Sequence, residues 1–354
     1  MTPSTKLLDL LEIDAPIIQA PMAGVSTPEM AAAVSNAGGL GSIGVGATNA
    51  ADARRMLAAF RERSRRSLNV NVFCHAPARA DPGREAKWIE LLRPEFARLG
   101  ATPPAGLREI YRSFVEDDDM LAMLLTERPK VVSFHFGVPS RERIEALHDA
   151  GIVLLGSATT VAEAHQLVAA RVDAVVAQGY EAGGHRGVFD PSAADDRLGT
   201  CALTRLMSRA MACPVIAAGG LMDGAGVAAA LRLGASAAQL GTAFVACDES
   251  QADAGYRAAL KSDAAHHTVM TRAISGRPAR SLANRFTALG RDVGPRDVPD
   301  YPIAYDAGKA LHAAGKAKSE HGFGAHWAGQ GAPLSRAMPA GELVALLRPE
   351  ASGT

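Results

Sequence analysis

Eight short apolar runs, most of them followed by an alanine-rich amphipathic stretch, constrain this chain more than any other feature. The runs lie at 15–24, 39–47, 67–75, 130–137, 151–158, 173–179, 213–220 and 235–244. Helical stretches lie at 27–39, 51–63, 140–150, 160–171, 202–211 and 223–233. Thr27 reads as an N-cap, Pro28 as the first helical residue and Gly38 as the C-cap. Continuous apolar strands are the pattern of a parallel sheet buried on both faces. A strand–helix repeat at roughly 30-residue spacing predicts parallel βαβ units. Eight such units predict an α/β fold of the closed (β/α)8 TIM barrel type. A doubly wound open sheet is the alternative. The barrel is preferred because the count reaches eight and because ligand-type residues follow many strands, not one switch point.

Two segments of the 354-residue chain fall outside the repeat. The barrel spans 1–75 and 130–261, residues 76–129 form an inserted lid segment, and 262–354 form a C-terminal lid and substrate segment. The insertion carries Pro77, Pro82, Pro94, Pro103 and Pro104, then a predicted helix around 107–125. The tail carries a predicted helix near 304–318. Such segments usually cover the C-terminal face of the strands.

Lys and Arg together number 37, as do Asp and Glu, so the formal net charge is zero. That leaves no electrostatic reason to expect nucleic acid or an anionic membrane as partner. A 48% hydrophobic content argues against disorder. No apolar run reaches the roughly 18 residues that span a bilayer. The opening MTPSTKLLDLLEIDAP lacks an apolar h-region, so no secretory signal is expected. Cys74, Cys201, Cys213 and Cys247 show neither C-x-x-C nor zinc spacing. They read as idle thiols of a reducing cytoplasm, with no metal expected.

Strand ends carry the chemistry of such barrels. Gly219-Gly220 and Gly241-Thr242 end the seventh and eighth runs, each ahead of a helix. Glycine permits close backbone approach to an anion, and helix N-termini supply free N–H groups, so the two loops predict a phosphate cradle. Neither G-x-G-x-x-G nor G-x-x-x-x-G-K-[ST] is present. Asn71, Gln178 and Gln239 are amides at strand ends, suited either to an internal network or to a flat heterocycle such as an isoalloxazine. Pro21-Met22-Ala23-Gly24 offers it backbone groups and a soft side chain. His185, in a loop after Gly183-Gly184, is the candidate acid or base, with His135 next. The five tyrosines, Tyr111, Tyr180, Tyr256, Tyr301 and Tyr305, all fall outside the runs and predict a polar aromatic wall over one barrel mouth, or ordinary lid packing. Lys309 lies one turn from Tyr305 and is placed to receive a carboxylate or nitro oxygen.

The segments QAPMAGVSTPEM, NVNVFCH, QGYEAGGHRG, PVIAAGG, AAQLGTAF and WAGQGA resemble the class I nitronate monooxygenases over about residues 14–347. The resemblance implies an FMN-dependent barrel that oxidises alkyl nitronates with O2 and without NAD(P)H. It implies propionate 3-nitronate as the substrate class, converted to malonic semialdehyde with nitrite and nitrate. It further implies that Met22, Asn71, Gln178, Gly183, Gly220, Gln239, Gly241 and Thr242 hold FMN. His185 matches the active-site histidine, and His135, Tyr111, Tyr256, Tyr301, Tyr305 and Lys309 would line the substrate side. The expected partners are small molecules, with a homodimer as one allowed assembly. Competing readings are an NAD(P)H:quinone or enoyl-thioester reductase on the same barrel, an IMP dehydrogenase-type barrel, which lacks its loop cysteine here, and a non-catalytic flavin-binding protein.

Overall fold

A computed structural model describes residues 3–351 of the chain. Six parallel strands come first: β1 (Ile17–Gln19), β2 (Gly41–Gly44), β3 (Leu68–Phe73), β4 (Val131–His135), β5 (Val153–Ala158) and β6 (Ala174–Gln178). A two-residue strand, β7 (Gly184–His185), belongs to another sheet. Then β8 (Val215–Ala218) and β9 (Ala237–Leu240) complete an eight-stranded parallel sheet. β1 pairs with β9, and Ile18 bridges to Leu40 just ahead of β2, which brings the ends of the sheet together. The fold is the predicted (β/α)8 barrel.

The pattern of β5 shows why these runs become barrel strands. Side chains alternate across a strand. Val153 and Leu155 join the interior cluster with Val131, Val176 and Ile216. Leu154, between them, packs outward with Ile144, Leu147 and Leu167 of the surrounding helices. Both faces are buried, so the strand is apolar except at Ser157. Leu7 and Leu11 of the helix Pro3–Leu11 enter the interior cluster among the first residues of the strands and close the barrel's lower end.

The helices between strands begin where side chains can cap them. Thr27, Asn49, Ser140, Thr160 and Asp223 each accept a hydrogen bond from the backbone N–H three residues on. Ala37, not Gly38, is the C-cap of the first of these helices. Gly38 follows it with φ +91°, the left-handed turn that glycine takes without strain.

Three sequence expectations are corrected. The helix expected around 107–125 begins only at Asp118. The insertion forms Pro82–Arg98 and Asp118–Glu127, with 102–116 largely irregular. Pro82 stands at a helix start behind the N-cap Asp81, where its missing N–H costs nothing, and Asp117 caps the second helix. The eighth apolar run stops as a strand at Leu240, and Thr242–Val245 is a short helix. His185 is not in a free loop. As β7 it pairs with β11 (Ala279–Leu282), which pairs in turn with β10 (Thr268–Thr271).

The insertion and the tail share an apolar cluster of their own. Trp88, Leu92 and Phe96 pack with Ala304, Ala307 and Leu311 of the helix Ile303–Lys316 and with Phe323. Arg285 adds a two-pronged ion pair to Glu95 at 2.9 Å. Among the described residues no helix is long and apolar enough to cross a membrane.

Candidate active site

The C-terminal strand ends open into a cavity of about 550 Å³, a size typical of cofactor sites. Its walls bring together nearly all the residues singled out from the sequence: Met22, Asn71, Gln178, Gly183, Gly220, Gln239, Gly241 and Thr242, with His135, His185, Tyr111, Tyr256, Tyr301, Tyr305 and Lys309. Tyr180 is the exception among the tyrosines. Its ring lies under the guanidinium groups of Arg186, Arg197 and Arg280, away from the cavity wall.

The amides differ in how free they are. Asn71 donates through Nδ2 to the carbonyl and hydroxyl of Ser133, at 3.1 and 2.9 Å. Its carbonyl oxygen is left for the cavity. Gln178 is spent within the protein: Nε2 donates to the His185 carbonyl at 3.0 Å and Oε1 accepts from Gly187 N–H at 2.7 Å. It thereby fixes the backbone that carries His185. Gln239 makes no side-chain hydrogen bond among the described residues and is open to a ligand.

Close backbone approach explains the glycines. Gly219 and Gly220 have φ +123° and +69°, conformations strained for residues with a Cβ. A Cβ on Gly183 would lie 2.4 Å from Gly329 N. The tail segment WAGQGA docks there. Gly329 N–H donates to Thr242 Oγ1 at 3.0 Å, and Gln330 N–H to the Glu181 carbonyl at 2.9 Å. The tail thus locks the loops after β6 and β9 to each other.

His185 sits in an aromatic cage. Its ring centre lies 5.0 Å from Trp327, 5.3 Å from Tyr301, 5.6 Å from Phe136 and 6.2 Å from Tyr305. Nε2 lies 2.9 Å from Ser275 Oγ, and that hydroxyl is 3.3 Å from the Arg277 carbonyl. A carbonyl can only accept. Both contacts are satisfied when Ser275 donates to the carbonyl and His185 Nε2–H donates to Ser275. Nδ1 then carries the lone pair. Burial, then His135, Arg277 and His75, push the His185 pKa down to about 3, so the ring is neutral and can act as a base. His135 donates from Nε2 to the His185 carbonyl at 3.2 Å. It is held down to about 4, mainly by burial.

The hydroxyls stay protonated, because burial raises all four cavity tyrosines. Tyr256 spends its hydroxyl on the Trp327 carbonyl and stacks on His326, so it contributes packing. The Tyr301 hydroxyl is buried without a partner among the described residues. Lys309 Nζ lies 4.8 Å from the Tyr111 ring centre and 5.6 Å from that of Tyr305. These contacts tie insertion to tail at the cavity rim.

Sequence reasoning missed Ser275, Trp327, His75 and Phe136. Ser275 and Trp327 reach His185 only through the β7–β11 pairing and the docked tail. His75, just past β3, has both ring nitrogens buried and lies edge-on to Tyr301 at 5.0 Å. Phe136 holds φ +74°, a conformation rare for a bulky residue. The local signal available was FHFG, a histidine and a glycine around a strand end.

The buried histidines have a consequence for stability. Burial holds His75, His135 and His326 near 4 and His185 near 3, against about 6.5 in an unfolded chain. Between those values the unfolded chain binds more protons than the folded one. Their stabilising effect is therefore complete above pH about 6.5 and is lost as pH falls toward 4. The melting temperature should decline between pH 6.5 and 5, before carboxylates titrate. A profile level from pH 8 to 5 would contradict the neutral, buried histidines.

Comparisons with known proteins agree with this geometry. The nitronate monooxygenase family model matches residues 4–350. A nitronate monooxygenase of Paraburkholderia phytofirmans is 63% identical, over 97% of this chain and 94% of that protein. One of Pseudomonas aeruginosa is 55% identical, over 97% and 98%. Among solved structures, a nitroalkane oxidase from Streptomyces ansochromogenes superposes with a TM-score of 0.89 at 41% identity, covering 98% of this chain and 97% of its own. FabK from Thermotoga maritima gives 0.75 at 29% identity, covering 98% and 96%. The matches run through barrel, insertion and tail alike, and the chain belongs to the nitronate monooxygenase family of oxidoreductases.

Proposed function

We propose that this enzyme binds FMN in the cavity and uses O2 to oxidise alkyl nitronates, giving the carbonyl compound with nitrite and nitrate. Propionate 3-nitronate is the proposed substrate class, and detoxification the proposed role. The observation that carries the reading is the composition of one wall: the neutral His185, Tyr301 and the Lys309 cation line a single cavity. A nitronate is an anion with two oxygens, and the Lys309 ammonium on this wall offers it donors and positive charge without a strong nucleophile.

The residues present fit FMN. The Gly219-Gly220 and Gly241-Thr242 loops suit a phosphate, and Asn71 and Gln239 present neutral amides suited to a ring with alternating donors and acceptors. Met22, Gly183 and Thr242 complete the set, and Gln178 acts from behind by fixing His185. When bound, FMN supplies the capacity to accept electrons from the substrate.

The chain's own groups bind, orient and handle protons. A nitronate arrives already deprotonated at carbon, so His185 need only pack against it. A neutral nitroalkane has a carbon-bound proton, and His185 Nδ1 is the group able to take it. Segments 76–129 and 262–354 act as lids: Tyr111 comes from the first, and Tyr301, Tyr305, Lys309 and Trp327 from the second.

Lys309→Met should raise KM for propionate 3-nitronate by about tenfold, as loss of one charge-assisted contact does. KM for ethylnitronate should change less than threefold. An equal effect on both would remove the carboxylate role. The whole reading is tested by oxygen uptake with propionate 3-nitronate, run beside NADH with quinone. Rapid uptake without NADH supports it. NADH oxidation with no nitronate-dependent uptake would transfer the enzyme to the reductase reading.

A further inference from the structure

Arg277 lies behind the aromatic cage, outside the cavity wall, and is 4% exposed. It precedes β11, two residues from Ser275. One Nη2 hydrogen bond reaches the Val188 carbonyl, and Nε has no partner. Its guanidinium carbon stands 4.3 Å from the centre of the Phe136 ring. Phe136 in turn faces His135 at 4.4 Å, Tyr301 at 5.5 Å and His185 at 5.6 Å.

No carboxylate pairs with this cation among the described residues. The groups around it come from several elements: Glu163 from the helix Val161–Ala169, Asp190 from the loop after β7, Arg272 from the turn before β11, Tyr301, and the three histidines. Glu163 is committed to Thr159 and to Phe189 N–H, and Asp190 to Ser192. Burial lowers the Arg277 pKa to about 10, which leaves it charged at neutral pH. Burying a charge without a counter-ion is costly. The Phe136 face offsets part of that, yet Phe136 itself holds a strained backbone. Two unfavourable features therefore sit back to back behind the cavity wall. The field of a buried cation extends well beyond contact where water is excluded.

We propose that Arg277 is a positioning residue that sets substrate charge: acting through Phe136, its field makes the cavity favour ionised nitronates over neutral nitroalkanes. This rests on the nitronate reading above. Arg277 touches neither substrate nor cofactor. It differs from Lys309, which lies on the wall and can meet one end of a substrate directly.

The test compares Arg277→Gln, which can keep the Val188 hydrogen bond, with Arg277→Lys, which keeps the charge, both as FMN-loaded enzymes. Two readouts are used: KM for ethylnitronate against nitroethane, and the dissociation constant of nitrate from flavin absorbance, which requires no turnover. In Arg277→Gln, the ethylnitronate KM and the nitrate constant should each rise roughly tenfold, as expected for loss of one charge at this depth. The nitroethane KM should stay within twofold. Arg277→Lys should restore most of the anion preference. Unchanged nitrate binding in Arg277→Gln overturns the proposal, and so does an equal loss in both variants or for both substrates, which marks Arg277 as a packing residue. If the parent enzyme binds nitrate but oxidises no nitronate, the proposed function fails, and the nitrate comparison still decides the role of Arg277.

Discussion

His185→Asn should retain FMN and lower turnover of neutral nitroalkanes by about 10²–10⁴-fold, the usual contribution of a positioned general base. Turnover of preformed nitronates should fall far less, because their carbon is already deprotonated. The β7–β11 pairing and the Gln178 contact, both made by the backbone, survive. Steady-state rates with nitroethane and ethylnitronate, with the FMN content of each preparation, give the answer. Loss of FMN would make His185 structural, and equal loss on both substrates would remove its role as base. The pH profile adds an independent check. With the His185 pKa pushed down to about 3, the base stays unprotonated through the ordinary range. The kcat/KM of the parent for nitroethane should therefore stay level from pH 8 to 5. A limb falling through 6.5 would indicate a solvated histidine instead.

Gly183→Ala should weaken FMN binding roughly tenfold to a hundredfold, from an overpacking cost of about 1–3 kcal/mol. The new methyl group would lie 2.4 Å from Gly329 N and 2.6 Å from the Ala328 carbonyl carbon. Both neighbours are backbone, so neither can rotate away. The tail must separate from the loop after β6, breaking the Gly329–Thr242 and Gln330–Glu181 hydrogen bonds. Fluorescence titration with FMN measures the first effect, and limited proteolysis within 320–335 the second. Gly106→Ala is the control, since nothing lies within 4 Å of the added carbon. Parent-like FMN affinity in Gly183→Ala would show that the docked tail does not shape the site.

These effects differ in how far they could be read from the chain. The eight barrel strands were legible because each is buried on both faces, which writes a mostly apolar run such as Val153–Ala158. The cavity residues were legible because barrel chemistry gathers at strand ends, as with Asn71, Gln178 and Gln239. Helix Pro82–Arg98 was not, because a proline at a helix start looks, locally, like a proline that ends one. The strand at His185 was not, because two residues carry no periodicity. Its partner Ala279 lies far along the chain. Gln178 reads from the chain either as part of an internal network or as a ligand amide; its hydrogen bonds to the His185 carbonyl and Gly187 N–H depend on a turn that composition does not encode.

By itself the sequence determined the barrel, the set of polar residues at its mouth and, through its segments, the family resemblance. These follow from local periodicity, glycine placement and motif. The tertiary structure alone decided which ring nitrogen of His185 is free, that Tyr256 is spent on Trp327, and that Arg277 stands buried behind Phe136 with no paired carboxylate among the described residues. Each of these depends on groups brought together from distant parts of the chain. Desolvation and electrostatic fields act through space, and a sequence records only neighbours along the chain.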